Sequence, residues 1–272
     1  MSKENVNAGG DGKTMSFWDH LDELRKVLVR VFVVTLLFAI VAFCFKDRLF
    51  AIILAPGSPD FLTYSLFGRA AALTGGTLEN FTPQLINTEL ARQFLIHVRM
   101  AFTMGFILAS PYILYEIFRF ITPALYSNEQ RCFSRMVAGG YVMFMLGVAL
   151  SYFLIFPLTF RFLASYQVDA SVVNMISLES YISTLVTLSL WMGLAFEMPV
   201  LAWLFARFGF LKADFLRRYH KHAVVVILFL AAIITPTSDA VTLLLVAFPM
   251  WLLYLLSIVI TARTKVILNV EC

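Results

Sequence analysis

Charged side chains are scarce in this chain. Asp, Glu, Lys and Arg make up 14% of its 272 residues, where soluble domains carry about 25%. That shortage excludes a surface bathed in water on all sides. Cysteine is scarce too, with Cys44, Cys132 and Cys272 the full set. They form no CxxC and no Cys/His spacing, so neither a disulfide framework nor a zinc site is expected. Also missing are a glycine-rich phosphate loop, an HExxH helix and a convincing Ser/Lys dyad, and His20, His97, His220 and His222 are scattered. Nothing here points to catalysis, a metal or a cofactor. The net charge of +4 reports anchoring and topology in a chain of this composition, so nucleic acid is not implied.

What is abundant is apolar. Hydrophobic residues make up 60% of the chain, and 27 of them are Phe. The runs are long and continuous instead of alternating every second residue, which argues against a barrel and predicts an all-α polytopic membrane protein. Six spans are expected, near 27–45, 94–118, 137–156, 181–207, 223–234 and 240–260. Polar residues 1–15 read as a disordered tail and carry no signal-peptide cleavage site after an early apolar core. Residues 16–262 form one membrane domain, and 263–272 a second tail. The outer loops are expected at 46–94, with short amphipathic pieces near 50–54 and 90–94, and at 157–180. Fourteen lysines and arginines fall on the side of the termini and five on the other, which predicts both termini in the cytoplasm.

Two details of the spans stay open. Pro111, Pro199 and Pro249 hint at helix breaks, but no internal repeat pairs them. The fifth run covers only ~18 Å as a helix, against a bilayer core of ~30 Å. Either the membrane thins there, or the helix extends back through 217–222 with snorkelling side chains.

Acids at membrane boundaries are the candidate functional groups. Glu197 stands in an apolar run two residues before Pro199. A carboxylate at that depth costs roughly 2.5–3.5 kcal/mol on insertion scales and so faces a bundle interior, a partner or a pathway. An internal hydrogen bond to Thr187 or Ser183 is the plainer alternative. Residues 17–28 fit an amphipathic helix with Phe17, Leu21, Leu24 and Leu28 on one face, capped by Ser16, and with Glu23 near Asp19 and Lys26 on the other. Residues 119–136 make a turn at Pro123, with Glu129 in a first helical turn where it suits the dipole. Glu23 and Glu129 together would attract a cationic ligand, and a guanidinium pair forks best onto carboxylates. Asp239 lies at the far tip of the fifth hairpin.

Six motifs in order carry a family resemblance: His20-Leu-Asp-Glu23-Leu-Arg25, Ser110-Pro-Tyr-Ile-Leu-Tyr with Phe120-Ile-Thr-Pro-Ala-Leu-Tyr-Ser-Asn-Glu129, Phe156-Pro157, Phe196-Glu197-Met-Pro199, Thr235-Pro236 with Asp239, and Phe248-Pro249. In these the chain resembles the TatC family, the multi-pass subunit of the twin-arginine protein translocase. The resemblance implies six helices in a curved, glove-like wall in the cytoplasmic (inner) membrane. It implies a receptor for Arg-Arg signal peptides that supports transport of folded proteins, driven by the proton-motive force. Partners would be TatA- and TatB-type single-span subunits, membrane lipid and further copies within a complex. Glu23 and Glu129 would contact the arginine pair, with Arg25, Phe120 and Arg131 nearby. Glu197 would face the concave side, Thr235 and Asp239 would lie where partner helices dock, and Pro56, Pro123 and Pro199 would shape the backbone. Val27, Gln130 and Leu243 depart from the common pattern. The rival readings are a proton-coupled secondary transporter using Glu197, an intramembrane enzyme and a passive scaffold.

Overall fold

A computed structural model of the chain describes residues 17–65, 85–121, 130–167, 169, 174–235 and 239–264. The two tails, most of the 57–93 loop and the 122–129 turn, with Pro123 and Glu129, lie outside the described residues. So do the side chains of Phe17, Asp19 and Arg131.

The first helix, α1 (Phe17–Cys44), is one continuous rod. The expected amphipathic entry and first span are the same helix, about 42 Å long at 1.5 Å per residue. Leu21 and Leu28 are exposed, so the apolar face of the entry turns outward, as lipid solvation permits. A turn at Phe45 leads into α2 (Lys46–Leu54), which buries Leu49 and Ile53, and a 3-10 turn (Ala55–Gly57) follows. α3 (Arg92–Ile121) runs through Pro111 without a break, and Pro111 is exposed.

α4 (Gln130–Leu150) continues into a five-residue π-helical segment (Ser151–Ile155) and then α5 (Phe156–Ser165). The third span therefore does not end at Pro157, and the outer loop begins near residue 166. Pro157 sits in the first turn of α5, the nearby Phe153 carbonyl accepts from the Thr63 hydroxyl, and the wider π turn absorbs the change of register. α6 (Leu178–Phe196) is capped by Ser177, whose Oγ accepts from the Ser180 N–H at 3.2 Å. α7 (Met198–Arg207) resumes after a single turn residue, Glu197. α8 (Ala213–Arg218) is separated by Tyr219 from α9 (His220–Ile234), so the fifth helix stays short, about 22 Å. α10 (Ala240–Arg263) passes Pro249 unbroken.

Five of these helical stretches are long and apolar enough to cross a membrane, and α9 is the shorter sixth. The all-α expectation holds apart from one parallel pair of two-residue strands, β1 (Leu85–Ile86) and β2 (Ile176–Ser177), which joins the outer segments. An Arg92–Glu179 ion pair reinforces that junction. Three tyrosines clamp the chain after α1. Tyr152 and Tyr181 donate to the carbonyls of Ile52 and Ile53 at 2.6 and 3.0 Å. The Tyr64 hydroxyl lies 3.1 Å from the carbonyls of both Pro56 and Pro157. Burial pushes the Tyr64 hydroxyl up to about 12, partly offset by Arg161, so it remains a neutral donor.

The larger core packs α2, the start of α3, α5, α6, α9 and α10 together, and a smaller one gathers Leu114, Phe118, Met136, Phe144 and Leu204. Outside these cores the surface is rich in Phe, Leu, Ile and Val. Lipid removes the hydrophobic drive for helices to associate, so close backbone approach matters more. At Gly105 an added Cβ would lie 2.6 Å from the Ala39 nitrogen, and at Gly147 it would lie 2.5 Å from the Met192 carbonyl oxygen. Gly147→Ala therefore drives α4 off α6 and costs about 1–3 kcal/mol, read as a lowered melting temperature in detergent. Gly139→Ala, with nothing within 4 Å of the new methyl, does not lower the melting temperature and raises it slightly through helix propensity. Equal effects from the two would refute this account of the crossing.

Candidate functional site

α1 runs antiparallel along α3 in the most extensive helix pairing among the described residues. The pairing places the start of α1 beside the end of α3. His20 stacks on Phe120, ring centroids 4.3 Å apart, so the first motif and the loop motif meet at one end of the bundle. Glu23 is half-exposed there. Its Oε2 lies 3.5 Å from Lys26 Nζ, and its Oε1 lies 3.4 Å from Arg30 Nη2. Arg25 is exposed.

Arg30 reaches further. Its Nη1 donates to Glu116 Oε2 at 3.0 Å, and the Tyr112 hydroxyl donates to Glu116 Oε1 at 3.0 Å. The Glu116 side chain is 3% exposed, against 36% for Glu23. Glu116 is the functional-site residue that the sequence reading passes over. A signal for it exists: Arg30 in the first apolar run and Glu116 late in the second are opposite charges in two lipid-spanning segments. Each needs a partner at depth, and the other is available.

The second feature is the break at Glu197. Its backbone turns between α6 and α7 with φ −71° and ψ −15°, and Pro199 occupies the first turn of α7, where a missing N–H is harmless. The side chain is buried, and neither carboxyl oxygen has a hydrogen-bond partner among the described residues. An added Cβ on Gly140 would lie 3.2 Å from its Oε2 and 3.0 Å from the Phe118 ring. Glu197 thus faces the α3–α4 seam. The internal hydrogen bond expected to Thr187 or Ser183 does not form; Ser183 Oγ instead accepts from Arg99 Nη2 at 3.4 Å.

The remaining candidates lie at the other end of the bundle. Thr235 ends α9, buried, with its Oγ1 3.5 Å from the Ala232 carbonyl. Asp239 caps α10, its Oδ1 accepting from the Thr242 N–H at 2.7 Å, a contact that satisfies one of the helix's orphan donors. Pro56 is buried under Tyr64. Thr235 and Asp239 are therefore far along the chain path from the Glu23 cluster, and the structure does not bring the two sets together. Among the described residues no group of His, Cys, Asp and Glu could hold a metal.

Residues 19–249 match the family model described as Sec-independent protein translocase protein (TatC). The chain is 34% identical to the Sec-independent protein translocase protein TatC of Blattabacterium sp. subsp. Periplaneta americana, across 91% of this chain and 95% of that one. It is 35% identical to the corresponding Deinococcus radiodurans protein, across 92% and 87%. Its fold is similar to the crystal structure of a twin arginine translocase receptor, TatC, with a TM-score of 0.71 and 32% identity over 89% of this chain and 97% of that one.

Burying a carboxyl with no partner is unfavourable by itself. Glu197→Met therefore raises the melting temperature of the isolated subunit, by an amount equivalent to about 1 kcal/mol or more. A drop on the same substitution, in protein that remains inserted, would show that the acid has an internal partner.

Proposed function

Because this chain belongs to the TatC family, as a multi-pass inner-membrane component of the Sec-independent protein translocase and not an enzyme, we propose that it is the receptor and core subunit that recognises Arg-Arg signal peptides. It then supports transport of folded proteins, driven by the proton-motive force. The observation that carries this reading is the carboxylate of Glu23 at the mouth of the α1–α3 pair, beside the His20–Phe120 stack. On this reading both termini and that mouth face the cytoplasm.

Glu23 supplies one carboxylate and Glu129 the second, with Arg25 and Arg131 flanking and Pro123 shaping the turn between α3 and α4. A guanidinium forks onto a carboxylate with two parallel N–H donors. Each such contact gives ~1 kcal/mol in water at ~4 Å and more near the low-dielectric interface. Two contacts give specificity and a modest affinity; apolar contact with the signal peptide's hydrophobic segment adds to it. Binding that rests on exposed charge weakens with salt. Glu197, buried without a partner, waits for a donor from a single-span TatA- or TatB-type subunit. Thr235 and Asp239 mark the far end of such a docking path, and Pro56 and Pro199 fix the backbone turns that frame it. Copies of the subunit associate within the assembled complex.

Glu23→Gln combined with Glu129→Gln abolishes photocrosslinking of a twin-arginine peptide while the protein stays inserted; undiminished crosslinking overturns the carboxylate role. Glu197→Ala lowers co-purification of the single-span subunits and spares peptide crosslinking. Loss of both, in stable protein, would merge the two sites that this reading keeps apart.

A further inference from the structure

The geometry points to Arg30 as a resident guanidinium that competes with the incoming peptide for Glu23, so that Arg30 and Glu116 together set the affinity of the site for its cationic ligand. This rests on Glu23 being a peptide-binding carboxylate.

Arg30 lies two helical turns beyond Glu23 on the same face of α1, and its side chain reaches back toward the helix start, as a cation inside a span does. Its two terminal nitrogens hold two different carboxylates. The limb to Glu116 is 3.0 Å long, and its acceptor is 3% exposed; the limb to Glu23 is 3.4 Å long, and its acceptor is 36% exposed. Glu116 is also fixed from its other oxygen by Tyr112. The two limbs differ in strength for that reason. Breaking the buried limb leaves an uncompensated charge inside the bundle, whereas the outer limb belongs to the class of partly exposed pairs worth little. Arg30 is therefore anchored on Glu116 and only loosely placed on Glu23.

An arriving guanidinium displaces the loose limb alone. Arg30 stays on Glu116, no buried charge is stranded, and Glu23 changes partners. Lys26 sits on the other Glu23 oxygen at 3.5 Å, so the carboxylate is already neutralised by point charge from both sides. A lysine in the ligand offers nothing that Lys26 does not. A planar fork with two parallel donors does, and only such a ligand gains by the exchange. Removing Arg30 lowers the threshold for every cation by the same factor, so the preference for a planar fork stays with Glu23 itself.

The test uses the full-length protein in lipid nanodiscs with fluorescent synthetic signal peptides carrying Arg-Arg or Lys-Lys. The double variant Arg30→Gln, Glu116→Gln removes both members of the buried pair and leaves no stranded charge. It binds the Arg-Arg peptide about fivefold more tightly, the size of one partly exposed ion pair, and its preference for Arg-Arg over Lys-Lys is retained. Glu116→Gln alone binds Arg-Arg more weakly than the parent, since Arg30 then closes fully on Glu23. Arg30→Lys keeps a charge on Glu116 but loses the fork, and it tightens binding in the same direction as the double variant. It carries the test if the double variant does not fold. Unchanged affinity in the folded variants overturns the proposal while Glu23→Gln still abolishes binding. If Glu23→Gln leaves binding intact, the underlying reading of the site fails instead.

Discussion

The Arg30–Glu116 ion pair is the contact on which the candidate site depends. α1 has only 22% of its apolar window buried and touches little besides α3. Lipid on its outer face provides no hydrophobic reason to stay in one register. Two features fix that register. Gly105 admits the α1 backbone at Ala39, and a charge pair at 3.0 Å closes the seam toward the site. A slip of one turn would leave the buried Glu116 carboxylate without its cation, even though Arg30 keeps Glu23 within reach. The position of Glu23 against the His20–Phe120 stack follows from this lock and not from contacts of its own.

The acid at the helix break works by the opposite logic. Glu116 is buried and satisfied on both oxygens; Glu197 is buried and satisfied on neither among the described residues. The first ties α1 to α3, whereas the second is a burial cost that no described residue offsets. The break between α6 and α7 is what makes the second tolerable. With Glu197 as the turn residue, the chain changes direction at the carboxyl and presents it to the small Gly140. A larger residue at 140 would press on Glu197 Oε2 and on the Phe118 ring, which would lie 3.2 and 3.0 Å from an added Cβ.

The fold class, the six apolar helices and the place of Glu197 beside a break were legible because each rests on local pattern: run length, charge scarcity and the Glu-x-Pro spacing. The helix ends were read less well. Pro111 and Pro249 looked like breaks but lie inside continuous helices, because a lipid-spanning helix can carry proline when its surroundings reconcile the freed carbonyl. Pro157 looked like an end and sits in a first turn, since a π-helical segment upstream, invisible in sequence, shifts the register. Glu116 went unread because its partner lies 86 residues away. Periodicity reports what one helix does, whereas a buried ion pair belongs to two.

The short fifth helix raises a constraint that sequence alone left open between two outcomes. α9 reaches back past the apolar run as far as His220. The helix kinks at Tyr219, and the α8 turn before it is tied to α10 by the Tyr254 hydroxyl, which donates to the Leu216 carbonyl at 2.7 Å. α9 covers about 22 Å of a bilayer core of ~30 Å. The mismatch of about 8 Å has to be met by the bilayer or by the His220, Lys221 and His222 side chains that open the helix. Thinning costs fractions of a kcal/mol per Å, so the lipid can supply much of it at moderate cost. Next to α9 stands an apolar groove lined by Leu154, Ile227, Leu244, Phe248 and Trp251, so the short helix is flanked by surface that lipid chains can wet. The mismatch therefore falls on the α9–α10 side, where Thr235 and Asp239 lie, and not at the α1–α3 end that holds Glu23.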